Sequence, residues 1–460
     1  MLNNFLTIQQ ILEGYKSKLF SPKEVFDTFY DRIKKSDPLI KSFITLCPKD
    51  SLKIGGNSVP VAHKDIFTTK DIKTTAGSNI LKNYIPPYNA VVVERLNKEG
   101  FLSIGKLNCD AFAHGTTGEN SDFQITKNPY AQDRTPGGSS SGSAAAVSAG
   151  FIPVATATDT GGSIRLPASF TNTVGIKPTY GRVSRYGIIA MTSSMDSIGH
   201  ITKTIWDNAF VLGITAGFDE KDATSSRNEK DNYLSGIEKG ISKLKIGVPK
   251  EYITSLGAEL KARFVQNIKT LESLGAEIVE VSLPHTEYAI TAYYIITPSE
   301  ISSNLARFDG IRFGKTRDYF GEEAKRRIMM GTYSLSAGYY EDYYLKAQKV
   351  RTLVINDFKN VFEKVDALVA PVFPSIPPKL GESITDPVKM YMMDVLTVPV
   401  NLAGLPALSV PGGFVDNLPT GIQFIGKHFN EKLLYRVGRA FEQKTRYWEV
   451  FPSHLDSFGV

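Results

Sequence analysis

From residue 58 onward, short apolar runs alternate with stretches of helical spacing, and this alternation limits the possible folds more than any other feature. Val59-Pro60-Val61-Ala62 reads as a short strand ending at His63-Lys64-Asp65. Residues 90–99 read as a helix stopped by Gly100, and Phe101 to Gly105 as the next strand. Ala144 to Ala149 is the core of an Ala-rich helix, and Val154 to Thr158 a buried strand. Repeated β-α-β units predict an α/β fold: a large, mixed, mostly parallel sheet covered by helices on both faces.

Two helices precede this pattern. Thr7 with Gln10, and Ser21-Pro22-Lys23-Glu24, read as capping boxes, the second with Pro at the first helical position. Val25, Phe26, Phe29, Tyr30 and Ile33 form an apolar stripe that packs either on the main core or on a partner. Residues 218–244 are polar and charged. They read as a long surface loop within one fold, with a domain boundary as the alternative. A fresh unit follows: Ile246 to Val248, a helix carrying Leu260, Phe264, Ile268 and Leu271 and closed by Gly275, then Ile278 to Val281.

Composition narrows the class. Lys plus Arg is 53 and Asp plus Glu is 47, a net +6 over 460 residues. That mild excess permits an acidic partner such as RNA without requiring one. Two cysteines exclude a disulfide framework and fit a reducing cytoplasm. With six scattered histidines they give no metal-ligand spacing. The opening Met-Leu-Asn-Asn-Phe lacks a basic region and cleavage site, so no signal peptide is expected. No apolar run reaches the length of about 18 residues that a transmembrane helix needs.

Two segments carry chemistry. Gly137-Gly138-Ser139-Ser140-Ser141-Gly142-Ser143 runs straight into the Ala-rich helix, which disfavours a flexible linker. It lacks the Lys of a phosphate loop. The remaining reading is a loop whose backbone closely approaches a ligand. Gly100 to Leu107 resembles a phosphate loop only by chance, since Leu107 stands where Ser or Thr is needed. In Asp159-Thr160-Gly161-Gly162-Ser163-Ile164-Arg165-Leu166-Pro167-Ala168, a serine follows two glycines just past a strand end. That places its hydroxyl at the carboxyl edge of the sheet, with unshielded N–H groups beside it. A serine nucleophile needs a base. No histidine stands in a context that fits a Ser-His-Asp triad. Lys64 is the remaining candidate, although a lone lysine is usually solvated.

These paired Gly/Ser segments, with Lys64 upstream, resemble the amidase signature family along nearly the whole chain. The resemblance implies a Ser163–Ser139–Lys64 triad, with a cis peptide bond between Gly138 and Ser139. Ser163 then attacks an amide carbonyl, Ser139 relays its proton, and neutral Lys64 accepts the proton and returns it to the leaving ammonia. Lowering a lysine pKa from ~10.4 toward ~7.5 costs about 4 kcal/mol, which burial must supply. The N–H groups of Thr160, Gly161, Gly162 and Ser163 form the oxyanion hole in this reading, while Asp159 and Arg165 are structural. The chain then reads as one amidase domain over 1–460. It comprises an N-terminal helical segment (1–45), a catalytic core (58–217), the polar excursion (218–244) and a second half holding the substrate pocket (245–460).

Ile176 to Gly187, Ser303 to Gly310, Lys325 to Met329 and Asn401 to Pro406 are similar to one branch of the family, whose members supply ammonia from glutamine inside a tRNA-dependent amidotransferase. That likeness implies glutamine-binding residues Tyr294, Arg327 and Asp394. An Arg can fork onto the α-carboxylate, and a carboxylate can pair with the α-ammonium. Taken alone, Arg327 reads as one exposed charge of the Lys325-Arg326-Arg327 cluster. The likeness further implies a heterotrimer with two partners: a B subunit that uses ATP and Mg on Glu-tRNA(Gln), and a C subunit that clamps the complex. It implies no cofactor in this chain, tRNA contact mainly through the B subunit, no membrane, and a cytoplasmic location. The enzyme alternative is a stand-alone amidase for a small carboxamide. The non-enzyme alternative is an idle scaffold. Cys109 to Ser121 departs from the commoner Met-Asp-Glu-Phe-Ala-Met-Gly-Ser-Ser-Thr-Glu-Asn-Ser form, notably at His114 and Thr116, which are placed near the pocket.

Overall fold

The computed structural model describes residues 5–311, 314–382 and 386–452. Residues 1–4, on which the expectation of no signal peptide partly rests, lie outside the described residues. The strands are β1 (Phe43–Leu46), β2 (Val59–Lys64), β3 (Phe101–Leu107), β4 (Val154–Asp159), β5 (Val174–Lys177), β6 (Ser197–Thr202), β7 (Lys245–Pro249), β8 (Glu277–Val281), β9 (Ala367–Pro371), β10 (Ala407–Val415) and β11 (Leu418–Gly426). They form one eleven-stranded sheet in the order β1-β3-β2-β4-β6-β5-β10-β11-β9-β7-β8. Strands from both sides of residues 218–244 share this sheet. That segment has no helix or strand, yet Tyr233, Ile237 and Ile241 anchor it in the core.

The class is α/β and the sheet is mixed, but the expectation of mostly parallel pairing needs correcting. Parallel pairing joins β2 to β3 and β4 on one flank, and β7 to β8 and β9 on the other. The six other neighbouring pairs are antiparallel. Crossover helices build the flanks. The centre contains a hairpin, β10–β11, that reverses through Asp416 and Asn417 at φ 51° and 59°. A two-residue turn with both residues left-handed suits the twist of antiparallel strands.

Both N-terminal capping boxes form, starting helices Ile8–Lys16 and Pro22–Ile40. Ile8, Ile11, Val25, Phe26 and Phe29 are buried in the main clusters, so these helices pack on the core. The Asp207 carboxylate reaches across to accept bonds from the N–H groups of Ile8 and Gln9, each at 3.0 Å. β2 and β4 run parallel side by side, so their last residues, Lys64 and Asp159, finish at the same edge of the sheet. The Gly/Ser run opens helix Ser141–Ser148, which packs over this edge. Among the described residues no helix is long and apolar enough to cross a membrane.

Candidate active site

Lys64 is wholly buried at the end of β2. Its Nζ lies 2.7 Å from Ser139 Oγ, 2.9 Å from Thr158 Oγ1 and 3.1 Å from Ser140 Oγ. Among the described residues no carboxylate pairs with it. Its chain neighbour Asp65 instead pairs with buried Lys106 at 3.5 Å and accepts from the Thr75 N–H and hydroxyl. Burial pushes the Lys64 ammonium down to about 8, against weaker pulls from Cys109, Asp110, Asp159 and Asp196. The positive N-terminal end of helix Ser141–Ser148 also disfavours the charged form. Both cysteines are buried free thiols.

The Gly138–Ser139 peptide bond is cis. Asp110 shapes the loop around it, accepting from the N–H groups of Gly118 (3.1 Å) and Asn120 (2.9 Å). A Cβ on Gly138 would collide with that carboxylate, so only glycine fits. The Ser140 N–H donates to the Ser163 carbonyl at 3.3 Å, tying the two serine segments together.

Ser163 follows β4 in a turn held from behind. The Arg165 guanidinium grips Asp159 with two bonds of 3.0 Å, and also reaches Gln423 (2.8 Å) and Asn401 (2.5 Å). Asp159 accepts from the N–H groups of Ile164 and Arg165, closing the turn. The N–H groups of Gly161, Gly162 and Ser163 make no hydrogen bond with another described residue, so they are available to an oxyanion. Gly162 has φ +149°, and a Cβ there would strike Thr397, whose hydroxyl donates to the Gly161 carbonyl at 2.5 Å. The Thr160 hydroxyl is committed to Asp196 at 2.7 Å. Ser163 is 7% exposed whereas Lys64 and Ser139 are 0%, so of these three only Ser163 is open to a substrate.

Tyr294, Arg327 and Asp394 converge from three parts of the chain. The Tyr294 hydroxyl donates to Asp394 Oδ2 at 3.2 Å, and the Tyr294 ring lies under the Arg327 guanidinium, 5.6 Å from centroid to Cζ. Asp394 borders the nucleophile turn: a Cβ on Gly161 or Gly162 would stand 3.3 or 3.2 Å from its oxygens. Asp394 Oδ1 is buried without a hydrogen-bond partner among the described residues, and burial pushes this carboxyl up to about 8. The exposed-cluster reading of Arg327 fails, since Arg327 is 2% exposed while its neighbour Arg326 is 43%. Glu323 takes its Nε–H at 2.8 Å and leaves both terminal amino groups without an acceptor among the described residues.

Several contributors escaped the sequence reading. Thr158 and Ser140 hold Lys64, and Tyr391 stacks on Tyr294 with centroids 3.9 Å apart. Glu323 had a signal, because it precedes Arg327 by four residues on helix Glu322–Ser334. Tyr391 and Asp110 had none.

The fold and the comparisons together define an amidase-type enzyme. The chain belongs to the amidase family, whose model matches residues 24–435. Among its relatives, the glutamyl-tRNA(Gln) amidotransferase A subunit of Geobacillus thermodenitrificans is 47% identical, over 97% of this chain and 98% of that protein. The protein of the same name from Halothermothrix orenii is 49% identical over 96% and 98%. The crystal structure of the Thermotoga maritima A subunit superposes with a TM-score of 0.86 at 44% identity, covering 96% of both chains.

Proposed function

We propose that this chain is the glutamine-hydrolysing A subunit of a glutamyl-tRNA(Gln) amidotransferase. The observation that carries the reading is the contact of buried Lys64 with Ser139, beside a turn that presents Ser163 next to Asp394. Near-full-length relatives of that name support it.

Glutamine enters with its α-carboxylate on the free amino groups of Arg327 and its α-ammonium on Asp394 and Tyr294. Its side-chain amide then reaches Ser163. Ser163 Oγ attacks the amide carbon while its proton passes to Ser139, and the Ser139 proton passes to the lone pair of neutral Lys64. Thr158 and Ser140 accept the two Lys64 N–H bonds, which aims that lone pair. The N–H groups of the Thr160–Ser163 turn stabilise the oxyanion. Collapse of the tetrahedral intermediate breaks the C–N bond. The proton returns through Ser139 to the leaving nitrogen, releasing ammonia and leaving a glutamyl ester on Ser163. Water, activated by the same pair, hydrolyses the ester to glutamate.

Ammonia is then delivered rather than discarded. The B subunit uses ATP and Mg to activate Glu-tRNA(Gln), which ammonia converts to Gln-tRNA(Gln), and the C subunit clamps the other two together. The present chain needs no cofactor of its own. Its place is the cytoplasm, where charged tRNA and ATP are found.

The test is ammonia release from glutamine by the purified chain, alone and with the B and C partners, ATP and Glu-tRNA(Gln). Stimulation by the partners is expected. Strong turnover of simple amides by the chain alone, without stimulation, would establish a stand-alone amidase instead.

A further inference from the structure

We propose that His114 is a second substrate-positioning group, whose imidazole donates a hydrogen bond to the α-carboxylate held by Arg327. The proposal rests on the glutamine reading above and adds to it a residue that separates amino-acid amides from simple ones.

His114 is wholly buried, yet neither Nδ1 nor Nε2 has a hydrogen-bond partner among the described residues. Buried polar side chains are almost always paired, so an unpaired one calls for a ligand or water. The contrast with His63 is direct. That ring is also buried, but its nitrogens meet Thr156 Oγ1 at 3.3 Å and Ser103 Oγ at 2.8 Å. His200 is unpaired as well, but it sits mid-strand on β6 between Thr156 and Ile176, inside the sheet.

The His114 loop lies between the Gly138–Ser139 segment and the pocket wall. On one side the Asp110 N–H donates to the Ser139 carbonyl at 3.3 Å, and the Gly138 N–H to the Thr116 carbonyl at 2.7 Å. On the other, the Thr116 hydroxyl donates to the Met390 carbonyl at 3.0 Å, next to Tyr391 and Asp394. The Asn120 side chain pins the His114 carbonyl at 2.6 Å. Phe112 and Ala113, just before, are both left-handed at φ 54° and 62°. Non-glycine residues persist there only where the surroundings dictate it, often at ligand sites.

The chemistry suits an anion. Burial and then the Arg327 charge hold the His114 imidazolium well below its ordinary range, so the ring is neutral, with one N–H to donate. Arg327 keeps two amino groups without an acceptor among the described residues, available to the same anion.

The experiment compares wild type, His114→Met and His114→Gln in the full chain assembled with its two partners. Glutamine and butanamide, which lacks the α-substituents, are the two substrates. Methionine is unbranched, flexible and of similar size, and has no donor, so the fold should tolerate it. His114→Met should raise KM for glutamine about tenfold or more, with kcat changed less than about twofold and butanamide hydrolysis unaffected. His114→Gln should recover part of the loss. An unchanged glutamine KM in His114→Met, or equal losses on both substrates, overturns the proposal while leaving the glutaminase reading intact. A wild-type complex that does not hydrolyse glutamine overturns both.

Discussion

The Nζ of Lys64 lies 2.7 Å from the hydroxyl oxygen of Ser139, and neither residue is open to solvent. A lysine in that position serves as a base only when neutral, and burial has moved its titration from 10.5 down to about 8.

The pH profile follows from this shift. Below about 8 Lys64 is protonated and inactive as a base, so kcat at saturating glutamine, where Asp394 is already ionised, should rise roughly tenfold per pH unit and level off above about 8. A profile already flat at about pH 6 would contradict the assignment. Lys64→Met should abolish the activity over the whole range.

Asp394 makes binding itself a proton event. With its carboxyl pushed up to about 8 by burial, the empty pocket is largely protonated at about pH 7. An incoming α-ammonium favours the carboxylate, so binding should release about one proton per glutamine. Calorimetry of Ser163→Ala with glutamine, in buffers of different ionisation enthalpy, reads this directly. Asp394→Asn should remove the release.

Arg327 should not tolerate lysine. The Nε–H is fixed by Glu323, and the two remaining amino groups form the fork for a carboxylate. An ammonium cannot reproduce that geometry. Arg327→Lys should raise KM for glutamine by about 10–100-fold in steady-state assays, with a smaller effect on kcat.

Asp159 and Arg165 belong to stability. Burial alone would raise the Asp159 carboxyl, but Arg165 and then Lys177 outweigh it and hold it down to about 2. A depressed carboxylate contributes fully above its unfolded value near 3.8, and the contribution is lost as pH falls toward 2. Asp159→Asn should cost about 3–5 kcal/mol at neutral pH, because it strands a buried guanidinium. It should also flatten acid unfolding between about pH 4 and 2. Denaturant titrations at several pH values check both.

Much of this was legible in sequence, for physical reasons. Strand ends, glycines and capping boxes are local signals, so β2, β4, both N-terminal caps and the turn before Ser163 could be read directly. The antiparallel centre could not, because the pairing of β10 with β5, far apart in the chain, is set by tertiary packing. Its one local sign was the Asp416-Asn417 turn. The pocket was legible only through family likeness: Tyr294, Arg327 and Asp394 are scattered along the chain, and burial alone tells Arg327 from Arg326. His114 stood out as a departure, but only the structure reveals its two buried nitrogens without partners among the described residues.

The central claim is that Ser163 is the nucleophile that takes ammonia from glutamine. Ammonia release by the assembled complex, wild type against Ser163→Ala, tests it most directly. A loss of at least about 10⁴-fold, with the variant folded and still binding glutamine, is the predicted result. Release within about tenfold of wild type would contradict it.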